Sequence, residues 1–117
     1  MRYLLLFSAL TASLLSITPI VHAENINKVT LKAKYNLSEG KVIYAKTCSG
    51  CHATGVLSAP KVSDAAAWKP LMTKGMATLI KHTVDGYNAM PANGGLEKLT
   101  FKEASNTVAY MVEQSLL

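Results

Sequence analysis

The chemistry of this chain is concentrated in TCSGCHA, residues 47–53, which holds the only two cysteines among 117 residues and a histidine directly behind the second. On a helical turn Cys48, Cys51 and His52 stand at i, i+3 and i+4, so all three side chains project to one side. Two thiols so placed could form a redox disulfide or supply half of a zinc site. They could also form thioethers with neighbouring vinyl groups on a haem edge while the imidazole takes the iron, and C-x-x-C-H is the attachment signature of that chemistry.

The rest of the sequence discriminates among these. A thiol–disulfide exchanger expects its motif beside a βαβ pattern, and no useful length of alternating residues is present. Zinc needs two further ligands, and only His22 and His82 remain. A structural disulfide gives no role to the histidine. The residues therefore favour one covalently attached haem c, with Cys48 and Cys51 as thioether donors and His52 as an iron ligand.

The second iron ligand is expected from a loop. Met72, Met76 and Met111 fall in helical patterns, where methionine ordinarily fills gaps in a core. Met90 lies in YNAMPANGG, directly before Pro91, and a residue preceding proline is pushed to extended conformations, so a short stiff loop can present its sulfur. His82 is the rival; beside Lys81 near a helix end, its ordinary reading is a solvated side chain favoured by the C-terminal dipole. Methionine in place of histidine raises the reduction potential.

Positioning these groups falls to a short chain. Residues 1–23, MRYLLLFSALTASLLSITPIVHA, have the layout of an export signal: a positive start, an apolar run and small residues before a cut after Ala23. An uncleaved anchor across Tyr3 to Val21 is the alternative. Cleavage predicts a periplasmic protein with no membrane span. It leaves 94 residues, a size that ordinarily needs a staple such as a cofactor. The remaining chain has eleven lysines against seven acids, formally +4, which favours acidic partner faces. The lysines are scattered and aromatics few, which excludes nucleic acid.

Residues 24–37 are polar without a sustained period and read as a loose N-terminal arm; residues 38–117 form the domain. A helix is expected from Ser38, as N-cap, into the cysteine motif. ATGVLSAPKVSD reads as a loop, followed by a short helix over 64–68 and a longer one over 70–83, with Pro70 in its first turn and Gly86 beyond its end. Thr100 and Glu103 have capping-box spacing at the start of a last helix that places Phe101, Ala104, Val108, Met111 and Val112 on one face.

With GKVIYAKTCSGCH, APK at 59–61, AAWKP, KGMATLIKHTVDGYNAMP and the following NGG, the chain resembles the class I cytochromes c, and within them the bacterial cytochrome c5 group, over residues 38–115. The resemblance implies a small all-α fold, about four helices around one covalently bound haem. It implies a helix crossing beside the haem that uses Gly40, Tyr44 and Tyr110. It also implies a hydrogen bond from His52 Nδ1 to the Pro60 carbonyl and a haem-pocket or packing role for Trp68. The function implied is a monohaem carrier of single electrons, not an enzyme, working between redox partner proteins such as a reductase and a terminal oxidase. A haem-based ligand-binding or sensor module, with Met90 displaceable, is the alternative. One departure stands out: Leu96 and Leu99 occupy the positions of a second cysteine pair typical of the c5 group, so that disulfide does not carry over and burial of two apolar side chains replaces it.

Overall fold

Helix α6 (Phe101–Ser115) is the element on which the others pack in the computed structural model, which describes residues 15–19 and 24–116. Its start follows from local chemistry. The Thr100 hydroxyl accepts from Glu103 N, while the Glu103 carboxylate accepts from the Thr100 backbone N–H at 2.8 Å, so the expected capping box is complete. Those hydrogen bonds, the backbone one foremost, hold the Glu103 carboxyl below the usual carboxylate range. Ala104, Val108, Met111 and Val112 are buried as their spacing predicts. Phe101, expected on the same face, is exposed at the first residue of the helix.

The helix that carries the cysteines is assembled from three windings: α2 (Leu37–Ile43), a π-helical turn (Tyr44–Cys48) and α3 (Ser49–His52). Asn36 caps it, accepting from Glu39 N at 3.1 Å, in place of the expected Ser38. Asn36 is also tied to α6, since its backbone N–H donates to Asn106 Oδ1 at 3.0 Å and Asn106 Nδ2 donates to the Glu39 carboxylate. These bonds explain how an asparagine is buried in the middle of α6.

Backbones touch where α2 crosses α6. A Cβ added to Gly40 would stand 2.1 Å from the Asn106 carbonyl oxygen, a distance no side chain tolerates, so glycine is required there. Tyr44 and Tyr110 fill the angle beyond it, with ring centroids 5.4 Å apart and planes tilted by 54°.

Two further expectations give way. Residues 24–37 are not a loose arm: α1 (Lys28–Lys34) is capped by Asn27 and Thr30 in a capping box and buries Leu31, 2% exposed, in the core shared with α6. Glu24 completes the attachment, accepting from Met76 N at 3.1 Å and pairing with Lys34 at 3.3 Å. A single well-placed leucine and a cap do what a periodic apolar stripe usually does. The middle of the chain also divides later than expected, into α4 (Ala65–Met72) and α5 (Met76–Asp85). Pro70 lies inside α4, whose start is fixed by Asp64 accepting from Ala67 N, and the break comes at Thr73–Gly75. The expected signal at 1–23 lies outside the described residues except for 15–19, which form neither helix nor strand. Among the described residues no helix is long and apolar enough to cross a membrane.

Candidate haem-binding site

One cavity of about 450 Å³ opens among these elements. Cys48, Cys51, His52, Pro60, Trp68 and Met90, the six side chains singled out from the sequence, all border it. Its remaining walls are mostly apolar: Leu71 from α4, Leu79 from α5, Val108 and Met111 from α6, and Val56 and Leu57 from the loop after the cysteine motif.

The histidine side is built by short-range structure. His52 ends α3 and is buried, 8% exposed. Its Nδ1 lies 2.9 Å from the Pro60 carbonyl oxygen. A carbonyl only accepts, so Nδ1 carries the proton and Nε2 keeps its lone pair, the state that a metal-binding imidazole requires. Val62 N donates to the His52 carbonyl at 2.9 Å, closing the same loop a second time. Trp68 lies behind the ring, centroids 6.2 Å apart, and its Nε1–H is satisfied by the Lys61 carbonyl at 2.9 Å, which lets the indole be buried without a lost hydrogen bond.

Neither cysteine is in a disulfide. Burial pushes the Cys48 thiol up, the reverse of the depressed value that suits a thiol-exchange nucleophile. Among the described residues no three His, Cys, Asp or Glu side chains converge where they could hold a metal ion by themselves. The donor set thus lacks what zinc requires and has what a haem requires: two thiols on one turn, an oriented imidazole, a thioether on the same cavity and apolar walls.

Met90 is presented by a turn. Met90 N donates to the Tyr87 carbonyl and Tyr87 N to the Met90 carbonyl, both at 2.9 Å, with Asn88 between them in the left-handed region at φ 52°. Gly86 precedes this turn at φ +84°, and a Cβ there would come within 3.0 Å of both the Met90 carbonyl oxygen and Ala92 N. Beyond Pro91 a short 3₁₀ segment (Ala92–Gly95) is tied to the cysteine helix by Thr47 Oγ1, which donates to the Gly94 carbonyl at 2.9 Å. From spacing alone Gly86 marks only a helix stop and Thr47 has no role. The signals were a glycine four residues before the methionine and a hydroxyl next to the first cysteine, neither of which is specific alone. Lys74, which also borders the cavity, and the stacking of Tyr87 on His82 went unread as well.

Comparison with known proteins shows the family to which the chain belongs. The family model described as cytochrome c oxidase, cbb3-type, subunit III, matches residues 36–111. Cytochrome c-555 of Chlorobaculum tepidum is 47% identical over 85 residues, 69% of this chain and 79% of that protein. Cytochrome c5 of Azotobacter vinelandii is 46% identical over 57 residues, 47% of this chain and 69% of that protein, so the c-555 likeness reaches over more of the chain than the c5 likeness. A solved chain from an electron transfer complex of nitrite reductase with cytochrome c superimposes with a TM-score of 0.63 at 35% identity, covering 66% of this chain and 94% of that one. The chain belongs to the class I c-type cytochromes, small all-α electron carriers that hold one haem c covalently.

Proposed function

We propose that this protein is a periplasmic carrier of single electrons, exported with residues 1–23 removed, in which Cys48 and Cys51 form the thioethers and His52 and Met90 are the two axial ligands. The observation that carries this reading is the convergence of all four side chains on one apolar cavity, with His52 Nδ1 committed to the Pro60 carbonyl. Bound haem iron supplies a one-electron Fe(III)/Fe(II) couple. His52 and Met90 together would fill both axial positions, which leaves no place for a substrate and makes electron exchange the remaining chemistry. The Pro60 carbonyl holds the imidazole in one tautomer and raises its basicity; Trp68 keeps water from its flank. Gly86, the Tyr87 turn and the Thr47 hydroxyl hold the Met90 segment in place.

Partners follow from charge and from likeness. The lysine-rich chain suits redox proteins with acidic docking faces, and a similar cytochrome c forms an electron transfer complex with nitrite reductase. Encounter rates with such a partner are expected to fall as ionic strength rises.

Protein matured in a cell competent for haem attachment provides the test. The expected mass is that of residues 24–117 plus one haem. The expected spectra are a low-spin reduced form and a methionine-to-iron charge-transfer band when oxidised. A mass equal to polypeptide alone overturns the reading, and a low-spin form without that band removes Met90 from it.

A further inference from the structure

The Met90 thioether and the His82 imidazole, both able to ligate haem iron, border the same cavity as the cysteine motif, while Met111, another thioether on its wall, is packed in the core on α6. Imidazole and thioether are both established axial donors. Something must decide between them. Pro91 stiffens the chain at Met90 but does nothing to His82.

The structure supplies a residue that touches both. Tyr87 stacks face to face on His82, with centroids 3.9 Å apart and planes within 12° of parallel. Lys74 Nζ lies over the same phenol ring, 5.6 Å from its centroid. Tyr87 is 46% exposed, so its ring is not held by burial in the core; the stack and the nearby ammonium hold it. Through its backbone the same residue bonds Met90 in both directions, and Gly86 before it lies so close to the turn that a Cβ there would stand 3.0 Å from the Met90 carbonyl oxygen and from Ala92 N.

We propose that Tyr87 selects the axial ligand: its ring occupies the His82 imidazole while its backbone fixes the turn that presents Met90. The inference rests on the reading of Met90 as a ligand. To reach the iron, His82 must leave the stack; to leave the iron, Met90 must break out of a turn closed by two hydrogen bonds. Tyr87 opposes both movements and is a positioning residue, touching neither the iron nor the transferred electron.

The test uses holoprotein with haem attached, and compares the wild type with Tyr87→Ala, Tyr87→Phe, Tyr87→Ala/His82→Ala and Met90→Ala. The readouts are the methionine charge-transfer band and the midpoint potential, with far-UV circular dichroism confirming that each variant is folded; Tyr87→Leu replaces Tyr87→Ala if that variant does not fold. Tyr87→Ala is expected to lose most of the band and to shift to lower potential, since imidazole in place of thioether disfavours Fe(II). Tyr87→Phe, which keeps the stack, is expected to retain both. Removing His82 from the alanine variant is expected to bring the band back. A wild-type band and potential in Tyr87→Ala, a Tyr87→Phe variant that behaves like alanine, or a loss that the second substitution does not reverse, each overturns the proposal. Met90→Ala separates the two ideas. If it keeps the band, the ligand assignment itself fails; if it loses the band while Tyr87→Ala does not, only the role of Tyr87 is sunk.

Discussion

The two sides of the cavity are held in different ways. On the histidine side, Cys48, Cys51 and His52 are successive points of one helical turn, and the Pro60 carbonyl that orients the imidazole comes from eight residues further on. On the methionine side a local turn is joined to contacts from farther along the chain. Met90 depends on a turn closed on Tyr87, on Gly86, on a ring stacked against α5 and on a hydroxyl 47 residues away from Gly94. Short-range geometry makes one side nearly automatic once the helix forms, whereas the other exists only after the fold has closed.

The strongest way to break this contrast is to remove the covalent anchor. Cys48→Ala/Cys51→Ala is expected to leave a largely unfolded chain, because the helices around the cavity are too few to bury a core without the porphyrin; loss of native helical circular dichroism is the readout, and a native-like spectrum without haem contradicts it. Next in size is Gly40→Val. Its side chain would run into the Asn106 backbone, which cannot retreat as a flexible side chain would, and denaturant unfolding of the holoprotein should show a loss of about 3 kcal/mol.

Gly86→Ala acts on the methionine side alone. Strain at its positive φ and crowding against Met90 and Ala92 are expected to cost about 2 kcal/mol and to weaken the methionine charge-transfer band, with haem attachment unchanged. An equal effect on attachment would dissolve the contrast between the sides. Thr47→Val removes the one side-chain hydrogen bond described between them, leaving the Gly94 carbonyl without that donor; about 1 kcal/mol of stability should go with it.

Glu103 provides the smallest effect and a control remote from both sides. Its pKa is lowered in the folded state, so its contribution is fully present above the ordinary glutamate value of about 4.3 and is lost as pH falls from there through the folded-state value. Glu103→Gln should flatten this part of the acid unfolding profile, measured by circular dichroism, and leave the visible spectrum unchanged.

How much of this was legible follows the same division. The cysteine motif, the capping box at Thr100 and Glu103 and the buried Ala104, Val108, Met111 and Val112 all rest on spacings of three or four residues, which a sequence displays directly. The helix within residues 24–37 is not legible in the sequence because α1 is secured by Leu31, an asparagine cap and Glu24 reaching across to Met76, and only the cap is a local signal. Pro70 suits a helix start by its fixed φ, but Asp64 caps α4 before it and the chain turns only at Thr73–Gly75. Leu96 and Leu99, which stand where the c5 group typically has its second cysteine pair, are half-buried.

The order and spacing of the candidate donors stand in the linear chain: two thiols and an imidazole on one turn, and a methionine before a proline in a loop. Folding adds that these border one cavity, that Gly40 must be bare for two helices to touch, and that Tyr87 stacks on His82 while its backbone bonds Met90. The reason is physical. Helical spacing is set by the backbone within a few residues, but a glycine's need for emptiness or an aromatic ring's choice of neighbour is defined only by atoms that folding brings from elsewhere in the chain.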